Sequence, residues 1–230
     1  MSLASELKAG LSPLVDLIYP PRCPSCGVAV ASDGGLCVDC WSELEPLGAV
    51  ESEGGDETLD INPEVLAAFA YNDASRDLIL KLKHGRKVML AGLMARMMAS
   101  QIDDASADTL RLLVPVPLHR LRLWERGFNQ AALLAQELAK LGKGDLCVDA
   151  LVRGKRTPSL GGLGKEERRI ALDGAISISA SRQKVVQERE ILLIDDVYTS
   201  GATSSACAQA LLSAGAAKVT LVCFARVIDA

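Results

Sequence analysis

Hydrophobic positions along this chain fall into two patterns. Short unbroken runs suit strands covered on both faces, and stripes recurring every three to four residues suit helices packed on one side. Unbroken or strand-like stretches predict strands over Val65 to Tyr71, Leu110 to Val116, Cys147 to Val152, Gly174 to Ile178, Ile191 to Ile194 and Lys218 to Arg226. Helical spacing joins Leu78, Ile79 and Leu82 in a helix from Ala74 to His84 and Gly85. Leu90, Leu93, Met94, Met97 and Met98 make the core stripe of a helix over Val88 to Gln101. Two more helices are expected, one over Asn129 to Leu141 and one capped by Thr203 that runs to Gly215, with one or two helical turns at Glu166 to Ala171. Strands alternating with helices predict an α/β fold with a parallel sheet.

The chain has 230 residues, room for one medium domain and a small appendage. Residues 1–46 are expected to form the appendage, with a short leading helix; 47–62, rich in Gly, Glu, Asp and Ser, a linker; 63–230 the main domain. Hydrophobic residues make up 49% but aromatics only 3%, so the core must be aliphatic. A net charge of −4 gives no global attraction to nucleic acid. No stretch reaches membrane-spanning length and the N-terminus lacks the apolar core of a signal peptide, so a cytoplasmic protein with no membrane partner is expected.

Seven cysteines, an odd count without an export signal, argue against a disulfide framework. Four are ordered as Cys23-Pro-Ser-Cys26 and Cys37-Val-Asp-Cys40, two knuckles ten residues apart. Two such knuckles complete a tetrahedral thiolate site for structural Zn²⁺; redox chemistry is the alternative for a CxxC pair. Cys147, Cys207 and Cys223 sit in apolar surroundings and read as small buried residues.

The densest chemistry lies in Ile191 to Thr203, ILLIDDVYTSGAT. The apolar run ends in Asp195 and Asp196, which places them where the strand leaves the sheet. Thr199, Ser200, Gly201, Ala202 and Thr203 then supply hydroxyls and backbone amides at a helix start, a place that favours a phosphate. Carboxylates beside a phosphate repel it unless they meet sugar hydroxyls or a metal such as Mg²⁺. The pattern suits a ribose 5-phosphate; the competing reading is a strand–turn–helix whose acids only cap and solubilise. Arg120, Arg122 and Arg126, continued by Gly127, Phe128, Asn129 and Gln130, follow the Pro115 loop; with Arg153, Lys155, Arg156, Arg168 and Arg169 they concentrate cations on two loops suited to a polyanion, or form two solvated basic faces. Lys83, His84 and Arg86 make a smaller basic group, in which His84 is either an acid–base group or a helix-end cap.

DDVYTSGAT closely resembles the phosphoribosyl pyrophosphate (PRPP) loop of type I phosphoribosyltransferases over nine consecutive positions. With the four-cysteine module, KLKHGRK and VPVPLHRLRLWERGFNQA, the chain from about Cys23 to Arg226 resembles the ComF family, the ComFC and GntX-like proteins. The resemblance implies a type I phosphoribosyltransferase fold and a Mg²⁺-dependent pentosyl transfer. Asp195 and Asp196 would take the ribose hydroxyls and act in catalysis, and residues 199–203 the 5-phosphate. Val116, Pro117, Leu118 and His119, with Arg126, Arg156 and Arg168, would take pyrophosphate. The implied acceptor is a nitrogen base, and the implied setting is natural competence and DNA transformation. A PRPP sensor that docks single-stranded DNA or a helicase partner is the alternative. The chain departs from the family pattern at Leu160, where a Gln is usual, near Ala171, where an Asn is usual, and at Ser200, which keeps the hydroxyl of the common Thr.

Overall fold

A computed structural model describes residues 20–31, 35–48, 61, 63–84, 89–104, 111–154 and 174–228. The chain divides into two compact units, residues 1–44 and 45–230.

In the first unit, an antiparallel bridge pairs Arg22 with Ala29. The turn between them is closed by Gly27 N–H donating to Cys23 O and Cys23 N–H donating to Val28 O, at 2.8 and 2.7 Å. Gly27 has φ +80°, which a side chain would strain. A five-residue helix, α1 (Val38–Ser42), follows, with Cys37 at its N-cap. The leading helix expected near the N-terminus lies outside the described residues.

The second unit is built on a five-stranded sheet. Its elements are β1 (Glu64–Ala70), α2 (Asp73–His84), α3 (Met89–Ala99), β2 (Arg111–Pro115), α4 (Arg120–Arg126), α5 (Gln130–Lys140), β3 (Asp145–Leu146), β4 (Leu151–Arg153), β5 (Ile176–Ile178), α6 (Gln183–Val186), β6 (Glu190–Tyr198), α7 (Ala202–Ser213) and β7 (Lys218–Arg226). Spatial order is β1-β7-β6-β2-β3, and every pairing is parallel. This is the parallel sheet that the alternation of strands and helices predicts. Helices α3 and α5 pack together on one face; α7 covers the other, joined by the antiparallel ribbon β4–β5.

Burial follows the sequence pattern. Leu78, Ile79 and Leu82 of α2, and Leu90, Leu93, Met94, Met97 and Met98 of α3, are all buried. Phe69 and Phe224 meet at 5.3 Å in a core that is otherwise nearly all aliphatic. Cys147, Cys207 and Cys223 are buried as small residues. The amino ends of the strands carry paired ions: Lys218 with Glu64 at 2.8 Å, Arg189 with Asp145 at 2.8 Å, and Arg111 with Glu190 at 3.8 Å.

Several boundaries differ from the expectation. Cys147 to Val152 is not one strand: β3 ends at Leu146, and a turn separates it from β4. The arginines after His119 lie on helix α4 rather than a loop. Its two ends are set locally, because His119 Nδ1 accepts from Leu121 N–H at 3.3 Å and Gly127 closes it at φ +79°. Pro46 bridges to Phe69, and Leu47 N–H donates to Ala68 O, so the chain is already fastened to β1 where a linker is expected to begin. Residues 155–173, including the helical turns expected at 166–171, lie outside the described residues.

Leu193, fully buried in β6 between β2 and β7, tests the core directly. Leu193→Ala is expected to cost about 2–5 kcal/mol in urea denaturation. A loss below about 1 kcal/mol would mean that the β6 layer is not close-packed.

Candidate functional site

From the neighbouring strands β2 and β6 the chain leaves in opposite directions, through α5 to β3 on one side and through α7 to β7 on the other. In an open α/β sheet, such a reversal leaves a crevice beyond the carboxyl ends of the two strands. Here it is a cavity of about 530 Å³, lined by the loops after β2 and β6 and by the starts of α5 and α7.

Strand β6 runs further than expected. Its pairing with β2 ends at Ile194, which accepts from Val116 N–H at 2.9 Å, but its pairing with β7 continues to Tyr198. Asp195 and Asp196 therefore lie inside the strand, not at its exit, at the point where β2 has left. Pro115 fits this departure. Alternate residues of a parallel strand donate to the same neighbour, so with Val116 bonded to β6 the Pro115 nitrogen faces the side where β3 has already ended.

Asp196 is 8% exposed and Asp195 half-buried. The Asp195 carboxyl is held well above the ordinary carboxylate range, first by desolvation and then by the Asp196 charge. Asp196 N–H donates to Asp195 Oδ1 at 2.8 Å, and Lys83 Nζ stands 2.6 Å from Asp196 Oδ2. Arg153 lines the same cavity, its guanidinium pKa lowered by desolvation and then by Arg122.

Residues 199–203 all line the cavity. Gly201, not Thr203, is the N-cap of α7, at φ +74°. A Cβ there would lie 2.6 Å from the Tyr198 hydroxyl, so glycine is needed both for the turn and for the space. Thr203 falls within the first turn instead. Among the described residues no side chain caps α7, and its first-turn residues Ala202, Thr203 and Ser204 line the cavity.

Val116, Pro117, Leu118 and Arg126 also line the cavity, whereas His119 is engaged as the α4 cap. Arg126 Nη1 donates to Gln130 Oε1 at 3.1 Å, which fixes the orientation of that amide. Gln130 is 3% exposed, and its Nε2 finds no hydrogen-bond acceptor among the described residues. Asn129 caps α5 through Ala131 N–H and ties the loop after β2 by donating to Val116 O at 3.0 Å. On the outer side of α4, Leu121, Leu123 and Trp124 are exposed, Trp124 by 84%. Arg156 and Arg168 lie outside the described residues.

Lys83, Arg153 and Gln130 stand in the polar clusters that the sequence shows, but their placement does not follow from it. Lys83 stands out in KLKHGRK only as one cation among several, and nothing local says that it reaches a carboxylate more than a hundred residues away. Arg153 sits at the end of β4 rather than on a loop. Gln130 follows the helix cap, and only the packing of α5 turns it to the cavity wall.

In the first unit, the Sγ atoms of Cys23, Cys26, Cys37 and Cys40 lie within 4.8 Å of one another. Zn–S bonds of about 2.3 Å set tetrahedral sulfurs about 3.8 Å apart, so the donor set fits zinc. Burial raises the Cys23 thiol, but amide donors from Cys37, Cys26 and Ser25 outweigh it and bring it down to about 6. Desolvation, with the neighbouring thiols adding to it, pushes Cys40 up to about 12. Thiols this close oppose one another's ionisation, and a divalent cation reverses that opposition.

Two outcomes are expected. Treating the full chain with a strong chelator should release one zinc per chain and bring hydrogen exchange in residues 22–44 to unprotected rates; protection that survives complete metal loss would exclude a structural role. For Asp195, the sign follows from its raised pKa. Such a carboxyl contributes stability below its unfolded pKa of about 3.9 and loses that contribution as pH climbs through its folded value. The Tm advantage of Asp195→Asn over the native chain should therefore grow from pH 4 to pH 8, and a constant or shrinking difference would contradict the desolvated carboxyl.

The double zinc ribbon domain matches residues 14–50, spanning the four cysteines. Along the whole chain, the DNA utilization protein YhgH of Salmonella typhimurium is 30% identical over 210 residues, 90% of this chain and 84% of that protein. Competence protein F of Haemophilus influenzae is 31% identical over 153 residues, 65% of this chain and 66% of that protein. Competence protein ComFC of Bacillus subtilis is 29% identical over 151 residues, 66% and 59% of the two chains. A cysteine ribbon followed by a parallel-sheet unit, and similarity that runs through both, place this chain in the ComF family.

Proposed function

We propose that the crevice binds PRPP with Mg²⁺ and that the protein is a phosphoribosyltransferase-like member of the DNA-uptake apparatus. The observation that carries this reading is the placement of Asp195, Asp196 and the whole 199–203 turn on one cavity, at the point where β2 and β6 part. The 5-phosphate would take the first-turn amides and the hydroxyls of Thr199, Ser200 and Thr203, helped by the partial positive charge of the α7 N-terminus. Asp195 and Asp196 would accept the ribose hydroxyls and, through oxygen ligands, hold Mg²⁺. A diol or a cation would lower the cost of ionising Asp195 in this desolvated place.

Pyrophosphate would lie towards the loop after β2, where Arg126 and the Gln130 amide offer donors. Arg156 and Arg168 are proposed to join them. Transfer would then consist of stabilising a departing pyrophosphate beside an oxocarbenium-like sugar, with fixed cations supplying the field. The acceptor is proposed to be a nitrogen nucleophile. The link to DNA uptake rests on the names of the relatives, a DNA utilization protein and two competence proteins.

Leu160 and Ala171, standing where Gln and Asn are usual in the family, favour a second reading: PRPP is held and sensed, but not turned over, by a protein that docks single-stranded DNA or a helicase. Pyrophosphate release from PRPP across a panel of nitrogen bases separates the two. Asp195→Asn combined with Asp196→Asn is expected to lower PRPP affinity at least a hundredfold in calorimetry while the far-UV spectrum stays native. Unchanged affinity would remove PRPP from this site.

A further inference from the structure

The Lys83–Asp196 pair joins the last turn of α2 to the carboxylate pair across the cavity wall. A surface ion pair of two long, hydrated groups asks for no explanation. This one differs: the lysine side chain is 23% exposed, the aspartate side chain 11%, and both belong to the ligand cavity. A buried charge stays where it is only if a partner neutralises it. Adjacent carboxylates in a cavity are also an oxygen donor set for a small divalent cation. Lys83 Nζ, at 2.6 Å from Asp196 Oδ2, occupies the side of that oxygen which a cation bound to it would use. The remaining charged groups on the cavity wall among the described residues, Arg122, Arg126 and Arg153, are cations too and would oppose a bare metal ion.

We propose that Lys83 is a built-in counter-ion that keeps a free divalent cation off the acid pair, so that the metal enters only with its anionic ligand. A phosphorylated ligand offers the ammonium a new anionic partner. Lys83 can then turn from Asp196 to the anion and leave the carboxylate to the incoming metal or sugar hydroxyls. Exchange of one ion pair for another leaves neither the ammonium nor the Asp196 carboxylate without a partner at any stage. The order of binding is thereby set by one side chain: no metal first, then metal and anion together. Asp195 supports this arrangement, since its carboxyl already resists ionisation next to Asp196, and a second uncompensated charge would be costlier still. The Gln130 amide, buried in the same cavity without an acceptor among the described residues, fits a wall completed by a ligand.

The proposal rests on the PRPP reading for the identity of the anion but not for the metal exclusion itself, and the test keeps the two apart. Mn²⁺, as a spectroscopic stand-in for Mg²⁺, is titrated into the full-length zinc-loaded chain and followed by electron paramagnetic resonance. The native chain should bind Mn²⁺ weakly, and Lys83→Met at least tenfold more tightly, with the gain abolished when Asp196→Asn is added. Lys83→Gln is the second variant, should the methionine disturb folding as judged by thermal denaturation. Adding PRPP to the native chain should recover tight Mn²⁺ binding. If neither variant binds Mn²⁺ more tightly than the native chain, or if the gain survives Asp196→Asn, the proposal is overturned. If the variants gain Mn²⁺ affinity but PRPP has no effect on the native chain, the metal exclusion stands and the PRPP reading fails.

Discussion

The parting of β2 from β6 is the constraint on which the site depends. A carboxylate in the middle of a parallel sheet would be buried without water or partner, at a cost that no fold of this size absorbs. Here β2 leaves at Pro115 while β6 continues for four residues against β7 alone. The two acids thus stand on a rigid strand yet line the cavity. Rigidity comes from the β7 ladder and access from the missing β2 ladder. A loop would supply the access without the rigidity, and sites built on regular elements hold their geometry more closely.

The same arrangement explains how an acidic protein assembles a basic cavity wall. Lys83, Arg122, Arg126 and Arg153 come from three different elements, α2, α4 and β4, and none of them lies on β6. Each arrives because its element ends or runs beside the same cavity. The net charge of −4 describes the surface as a whole and says nothing about this local field.

How much of this was legible in the sequence depended on the range of the interaction. The apolar run Ile191 to Ile194, the small-residue helix after it and the heptad-like stripe of methionines are local patterns, and each became the element it implied. The cysteine knuckles are likewise short-range, and their sulfurs converge. Boundaries were less legible. β6 outran its apolar stretch because Asp195 and Asp196 are kept in the ladder by β7, a partner far along the chain. Thr203 looked like a cap because hydroxyls favour that position, but Gly201 took it, since the turn over Tyr198 leaves no room for a Cβ. Lys83 and Arg153 were legible as cations but not in their placement, for the same reason: their surroundings are set by topology, not by neighbours in sequence.

The two ends of the sheet respond to their surroundings in different ways. At the amino ends, Glu64, Lys218, Arg111, Glu190, Arg189 and Asp145 are matched charge for charge near solvent, where each match adds little to stability. At the carboxyl ends, cations are gathered around a concavity, where their field reaches outward to anions over roughly 8 Å at physiological ionic strength. Ionic strength therefore acts as a selective dial on this molecule: brine would quiet the capture of anions long before it loosened the framework that holds the cations in place.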